Sequence, residues 1–127
     1  MHMGDDNRPV FLNLFQIQFP ITAIVSIGHR ISGMIMLLSL PLWLWLMQMV
    51  LSGEAHFQQL QTCLNMPHYK CLLWAMIMAV VYHALAGLRH LVMDFGWWES
   101  WSEAKASAWG VLFFFAVMAI WVGVKLW

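Results

Sequence analysis

Two clusters of polar residues interrupt otherwise apolar stretches of this chain: Ser26, His29, Arg30 and Ser32 in the first, and His83, Gly87, Arg89, His90 and Asp94 in the second. Imidazole nitrogens bind metal or carry protons, guanidinium holds anions, and hydroxyls donate to carbonyl oxygens. A charge at the centre of a bilayer costs roughly 2.5 to 3.5 kcal/mol on insertion scales, so an ionisable residue inside an apolar span is a functional hypothesis by default.

Helical spacing groups these residues. Ser26 and Arg30 are four apart and Ser26 and His29 three apart, so the three project from adjoining faces near the start of a helix as the wall of a polar pocket. The bland alternative is an Arg30 that snorkels to headgroups and a Ser26 that bonds back to its own helix. His83, Gly87 and His90 follow i, i+4, i+7, which lines up an imidazole, a gap without a side chain and a second imidazole. A flat macrocycle could lie against that gap. At about 1.5 Å per residue His83 stands roughly 16 Å from Asp94 along the axis, near mid-bilayer, whereas His90 and Arg89 approach the surface. His83 is the better buried ligand, and His90 suits a donor to water, a carboxylate or a partner. A neutral His83 hydrogen-bonded to a neighbouring helix stands as the alternative.

The elements that carry these clusters follow from composition. Of 127 residues 62% are hydrophobic and 9% charged, with six acids balancing six bases, too little polar surface to cover a water-soluble globule of this size. An integral membrane protein uses that excess against lipid. No basic run suited to nucleic acid is present, so partners belong in the membrane and at its faces.

Three windows are long and apolar enough to span about 30 Å of hydrocarbon: 21–51, 71–93 and 106–124. The expected fold is an all-α membrane protein, a single domain over 1–127 with three transmembrane helices. Pro20 precedes the first span, Pro41 inside it predicts a kink, and Gly53 marks its end. Segment 97–105 reads as a short interfacial connection and 5–13 as an arm outside the membrane. The first twenty residues lack a basic start followed by an apolar run and cleavage site, so no removable signal peptide is expected.

Arg8, Arg30, Arg89 and Lys105 lie on the N-terminal side against Lys70 and Lys125 on the other, which places the N-terminus in the cytoplasm and the C-terminus in the periplasm. Trp97, Trp98, Trp101 and Trp109 mark one membrane boundary, and Trp43, Trp45, Trp74, Trp121 and Trp127 lie toward the other. Other features are bland. Cys63 and Cys71 read as small apolar residues before a disulfide or a metal site with His68. The eleven methionines and Phe113, Phe114 and Phe115 are packing residues before they are a cofactor box. Gly28 and Ser32 form a small-xxx-small pair that lets helices approach.

Arg8-Pro9-Val10 followed by Ser26-x-x-His29-Arg30-x-Ser32, and then His83-x-x-x-Gly87-Leu88-Arg89-His90-Leu91-x-Met93-Asp94-x-Gly96, closely resemble the two signatures of the cytochrome b556-type membrane-anchor family of succinate dehydrogenase (succinate:quinone oxidoreductase, respiratory complex II). The resemblance spans residues 8–96; the third span matches only in length and hydrophobicity. It implies a subunit of a bacterial inner-membrane complex with no succinate site of its own. A flavoprotein subunit with FAD oxidises succinate, an iron-sulfur subunit conducts the electrons, and two anchor subunits form a heterodimeric bundle that holds haem b and reduces ubiquinone. Carried over by residue, His83 is the axial ligand of the haem iron, opposite a histidine of the second anchor. His29 and Arg30 meet haem propionates, Gly87 and His90 belong to the haem surroundings, and Ser26 and Arg30 line the quinone pocket. The rivals are a fumarate reductase-type anchor using menaquinone and a haem-free structural anchor. A small transporter would scatter charges through the membrane depth, whereas here they gather toward one side.

Overall fold

The computed structural model describes residues 19–127, which form four helices: α1 (Ile21–Leu51), α2 (Glu54–Leu64), α3 (Pro67–Asp94) and α4 (Trp101–Leu126). The Arg8-Pro9-Val10 element and the expected arm over 5–13 lie outside the described residues. Three helices, α1, α3 and α4, are long and apolar enough to cross a membrane. Their outer faces are covered with exposed leucine, isoleucine, phenylalanine and tryptophan, the surface that hydrocarbon solvates and water does not. The expected all-α membrane fold is therefore the observed one.

Each helix boundary has a local cause. Proline serves twice as a start signal, because a missing N–H costs nothing there: Pro20 caps α1 and Pro67 occupies the first turn of α3. Gly53, at φ 110°, turns the chain from α1 into α2, and Gly96, at φ 82°, follows the end of α3; both lie in the left-handed region where a side chain is strained. Helix α1 continues through Pro41 over 31 residues.

Two boundaries differ from the sequence expectation. Helix α3 begins at Pro67 instead of 71, because Pro67, His68, Tyr69 and Lys70 extend it as a polar first turn. Helix α4 begins at Trp101 instead of 106, so most of the expected connection is helical. Ser100 accepts from the Glu103 N–H at 3.4 Å and donates to the Glu103 carboxylate at 2.7 Å, a side-chain N-cap that starts α4 ahead of its apolar stretch. The remaining link is tight, and Trp98 within it has a positive φ of 60°. Helix α2 was not expected at all. Phe57, Leu60 and Leu64 lie on one of its faces at i, i+3, i+7, and Leu60 is buried, so this short amphipathic helix caps the end of the bundle where α1 leaves and α3 enters.

Helix α3 is central, packed against α1 on one side and α4 on the other. The buried cluster is built from small residues, Val25 of α1, Ala86 of α3 and Ala108 and Val111 of α4, with Ile21, Tyr82, Leu85 and Leu112 around it. Helices in lipid gain little from apolar burial as such, and close backbone approach through small side chains supplies the packing. Polar ties add to it. At the far end, the one with α2, the Trp74 indole donates to the Ala119 carbonyl at 3.1 Å, so this tryptophan links α3 to α4. The Tyr82 hydroxyl donates to the Val25 carbonyl at 3.2 Å, and its ring meets Phe115 edge-on.

Gly28 is required by that tyrosine: a Cβ there would overlap the Tyr82 hydroxyl and stand 2.8 Å from its Cζ. Gly28→Ala should destabilise the α1–α3 contact by about 1 to 3 kcal/mol, the usual range for overpacking. Thermal denaturation of the assembled protein would report it, and adding Tyr82→Ala should restore part of the loss. An unchanged melting temperature in the single variant would contradict the close approach.

Candidate functional site

At the near end, where α1 begins and α3 finishes, three imidazoles meet between α1 and α3. The rings of His29 and His83 are stacked with centroids 4.0 Å apart and planes 20° from parallel, and His90 is tilted against the other side of the group, 5.2 Å from His29. Sequence spacing placed His83 and His90 on one stripe of α3. Only the packing of α1 against it brings His29 to both.

His83 is held by the backbone and side chain of α1. Its Nδ1 lies 3.2 Å from the His29 carbonyl oxygen and 3.2 Å from Ser32 Oγ. The buried Ser32 hydroxyl in turn donates to that carbonyl at 2.8 Å. A carbonyl only accepts, and Ser32 has committed its proton to it, so the pattern is satisfied when Nδ1 carries the proton and donates to both oxygens. Nε2 then holds the lone pair, the form in which an imidazole binds a metal, and the support of the other ring nitrogen by a carbonyl is the usual outer shell of a metal-ligating histidine. Gly33 makes room for this ring: a Cβ there would stand 3.1 Å from His83 Cε1.

The gap at Gly87 is real, but the His29 ring fills it. A Cβ on Gly87 would lie 3.2 Å from His29 Nε2, and that nitrogen is buried without a hydrogen-bond partner. A buried ring nitrogen left unpaired costs roughly 1 to 3 kcal/mol, which marks His29 as a group with an acceptor or donor to gain. A planar ligand lying against Gly87 has to share the space with His29, and moving that ring gives Nε2 access to a new partner.

Ser26 and Arg30 stand apart from the histidines. At about 100° per residue Arg30 is on the opposite side of α1 from buried Ser32, and Ser26 is one turn before Arg30 on the same side. Arg30 is exposed on the outer face of α1, and half-buried Ser26 lies at the edge of that face. Helix packing thus separates the first polar cluster, which spacing alone treats as one wall: His29 and Ser32 turn toward α3, Arg30 away from it, and Ser26 lies between.

Arg89 takes a third direction. It is 4% exposed, its Nε donates to Ser107 Oγ at 3.0 Å and an Nη to the Ala104 carbonyl at 3.1 Å, both on α4. Ser107 was missed in the sequence, where a lone serine in a helix start carries no signal; the small residues Ala104 and Ala108 around it were the available hint of close packing. Cys63 and Cys71 are both free, Cys63 half-buried and Cys71 exposed.

The chain is similar to known membrane proteins over most of its length. A family model described as succinate dehydrogenase/fumarate reductase transmembrane subunit matches residues 4–123. The chain is 40% identical over 121 residues to the succinate dehydrogenase cytochrome b556 subunit of Coxiella burnetii, covering 94% of this chain and 97% of that protein. It is 28% identical over 114 residues to the succinate dehydrogenase cytochrome b556 subunit of Paracoccus denitrificans, covering 90% and 88%. With the cytochrome b560 subunit of Reclinomonas americana it shares 29% identity over 96 residues, 72% of this chain and 67% of that one. Three apolar helices with a backbone-supported histidine between the first two, in a chain matched over nearly its whole length, lead to one assignment: it belongs to the transmembrane-subunit family of succinate dehydrogenase and fumarate reductase.

Proposed function

We propose that this membrane anchor of succinate dehydrogenase ligates haem b through His83 and offers Ser26 and Arg30 to ubiquinone at the near end of α1. The observation that carries the haem assignment is the pair of oxygens on His83 Nδ1, which orients the ring and leaves Nε2 as the ligating atom. The unpaired His29 Nε2 fits a propionate oxygen as its missing partner. Haem b, when bound, supplies a one-electron store whose potential is set by its ligands, burial and outer hydrogen bonds. A second anchor subunit would supply the other protein ligand to the haem.

Exposed Arg30 with half-buried Ser26 one turn before it suits a substrate shared with a neighbouring subunit. Quinone reduction consumes two electrons and two protons, so its pocket belongs near water, and the near end carries Arg30 and the exposed tryptophans Trp97 and Trp101. The Ser26 hydroxyl donates to a quinone oxygen, while the Arg30 guanidinium stabilises the negative charge that grows there on reduction. Electrons arrive from the iron-sulfur subunit, which receives them from FAD in the flavoprotein subunit; both dock on this cytoplasmic end. The separation of Arg30 from His29 on α1 favours quinone over propionate as the role of Arg30.

The complex purified from membranes should contain four different chains and show a reduced-minus-oxidised b-type spectrum, with extractable ubiquinone. A spectrum without haem would leave a structural anchor, and menaquinone in its place would turn the assignment to the fumarate reductase type. The excess of Lys and Arg over the N-terminal side supports an N-terminus in the cytoplasm and a C-terminus in the periplasm. A reporter fused after Trp127 and active only in the cytoplasm would reverse that orientation.

A further inference from the structure

Arg89 carries a full charge into the seam between α3 and α4. It is 4% exposed, and its hydrogen bonds run to neutral groups of α4, the Ser107 hydroxyl and the Ala104 carbonyl. A guanidinium keeps its proton inside a protein, so the charge is permanent. Little around it cancels that charge. Asp94, Glu99 and Glu103, the acids described at this end, are exposed, and Glu103 is engaged by Ser100; acids facing water are screened by it. Beside Arg89, Leu85, Val92, Val111 and Phe114 line an apolar cavity of about 420 Å³, a medium that leaves the field of a charge strong. A tie between two helices asks only for a neutral donor, and burying an ion for that purpose alone is costly.

We propose that Arg89 acts at a distance, as a fixed positive charge that raises the reduction potential of the haem; this rests on His83 as a haem ligand. Arg89 stands about 9 Å along and about 120° around α3 from His83, so its guanidinium, turned to α4, touches neither the imidazoles nor their ligand. That helix geometry leaves on the order of 15 Å between the charge and a metal bound at His83 Nε2. Reduction adds one negative charge to a haem, and a buried cation favours the reduced form. At about 15 Å and an effective dielectric of about 20, a unit charge changes a one-electron equilibrium roughly sixfold, or about 45 mV. The same charge in water, at a dielectric of about 80, would change it less than about twofold. Burial on neutral partners is therefore what gives Arg89 its reach: Ser107 and the Ala104 carbonyl hold the guanidinium in place without cancelling it.

The test is an anaerobic redox titration of the haem in the intact complex, followed at its b-type absorbance band. Arg89→Gln removes the charge and should lower the midpoint by the roughly sixfold change, about 45 mV, with the low-spin spectrum kept because no ligand is touched. Ser107→Asp retains the arginine and sets a carboxylate beside its Nε, so it should lower the midpoint in the same direction. Arg89→Lys keeps the charge and loses the fork, and Ser107→Ala keeps the charge and loses one bond. Both should titrate close to the wild type even where their melting temperatures fall. Should Arg89→Gln fail to assemble, Ser107→Asp against Ser107→Ala decides. An unchanged midpoint in the variant that cancels the charge overturns the proposal. So does a fall in Ser107→Ala and Arg89→Lys equal to that of Arg89→Gln, which would assign the shift to packing of the seam. A wild-type complex with no b-type spectrum removes the haem reading itself, a result distinct from a haem whose midpoint ignores Arg89.

Discussion

His83→Ala should abolish the low-spin b-type spectrum of the assembled complex, or shift it to that of a haem with one imidazole, whereas His90→Ala should retain the low-spin form with altered surroundings. Helix spacing puts both histidines on one stripe of α3 and does not choose between them. Depth and support do. His83 lies about 10 Å further from the near end than His90, and only His83 has its Nδ1 braced by the His29 carbonyl and Ser32. His90 instead tilts against the His29 ring. Ser32→Ala should have a smaller effect than His83→Ala, because the His29 carbonyl still accepts from Nδ1; loss of an outer-shell partner costs roughly ten- to a hundredfold in metal affinity at most sites. Reduced-minus-oxidised absorbance and electron paramagnetic resonance on complexes with equal subunit content read all three. An unaltered spectrum in His83→Ala together with haem loss in His90→Ala would exchange the two assignments.

Ser26→Ala and Arg30→Leu should each depress succinate-to-ubiquinone turnover while sparing succinate oxidation by an artificial acceptor that takes electrons upstream. Removing one preorganised donor from a site of developing charge costs about a hundredfold in rate, and a pocket open to water and to a second subunit sets that figure as an upper range. Neither residue contacts the imidazole group through a hydrogen bond, so neither substitution should remove the haem spectrum; a modest perturbation confined to Arg30→Leu would mean that the guanidinium also reaches a propionate. Normal quinone turnover in both correctly assembled variants would place the quinone elsewhere and leave Arg30 as a headgroup contact.

The sequence alone determined the class of protein and where its apolar spans lie. Length and hydropathy of the apolar windows are sums over many residues, so the three spans were legible without packing, and the limits of α1 agree at both ends. Spacing within one helix is equally local, which is why His83, Gly87 and His90 could be placed on one stripe of α3. Even the early starts of α3 and α4 were written locally, in Pro67 and in the Ser100 cap on Glu103; the hydropathy of the windows outweighed them.

What only the tertiary structure decided is how faces meet, because the rotation of one helix against another depends on the side chains of both. The first polar cluster divides on that rotation: Ser32 and the His29 carbonyl turn to α3 and brace His83, while Arg30 is exposed and Ser26 stays half-buried at the edge. The gap at Gly87 was legible as a gap, yet its neighbour, the His29 ring, comes from another helix. Arg89 looked like part of the histidine motif by position, and its bond to Ser107 shows that it serves the opposite seam. Residue types and their order along a helix are properties of the chain, whereas the partner of a side chain 18 or 54 residues away exists only after α1, α3 and α4 have packed.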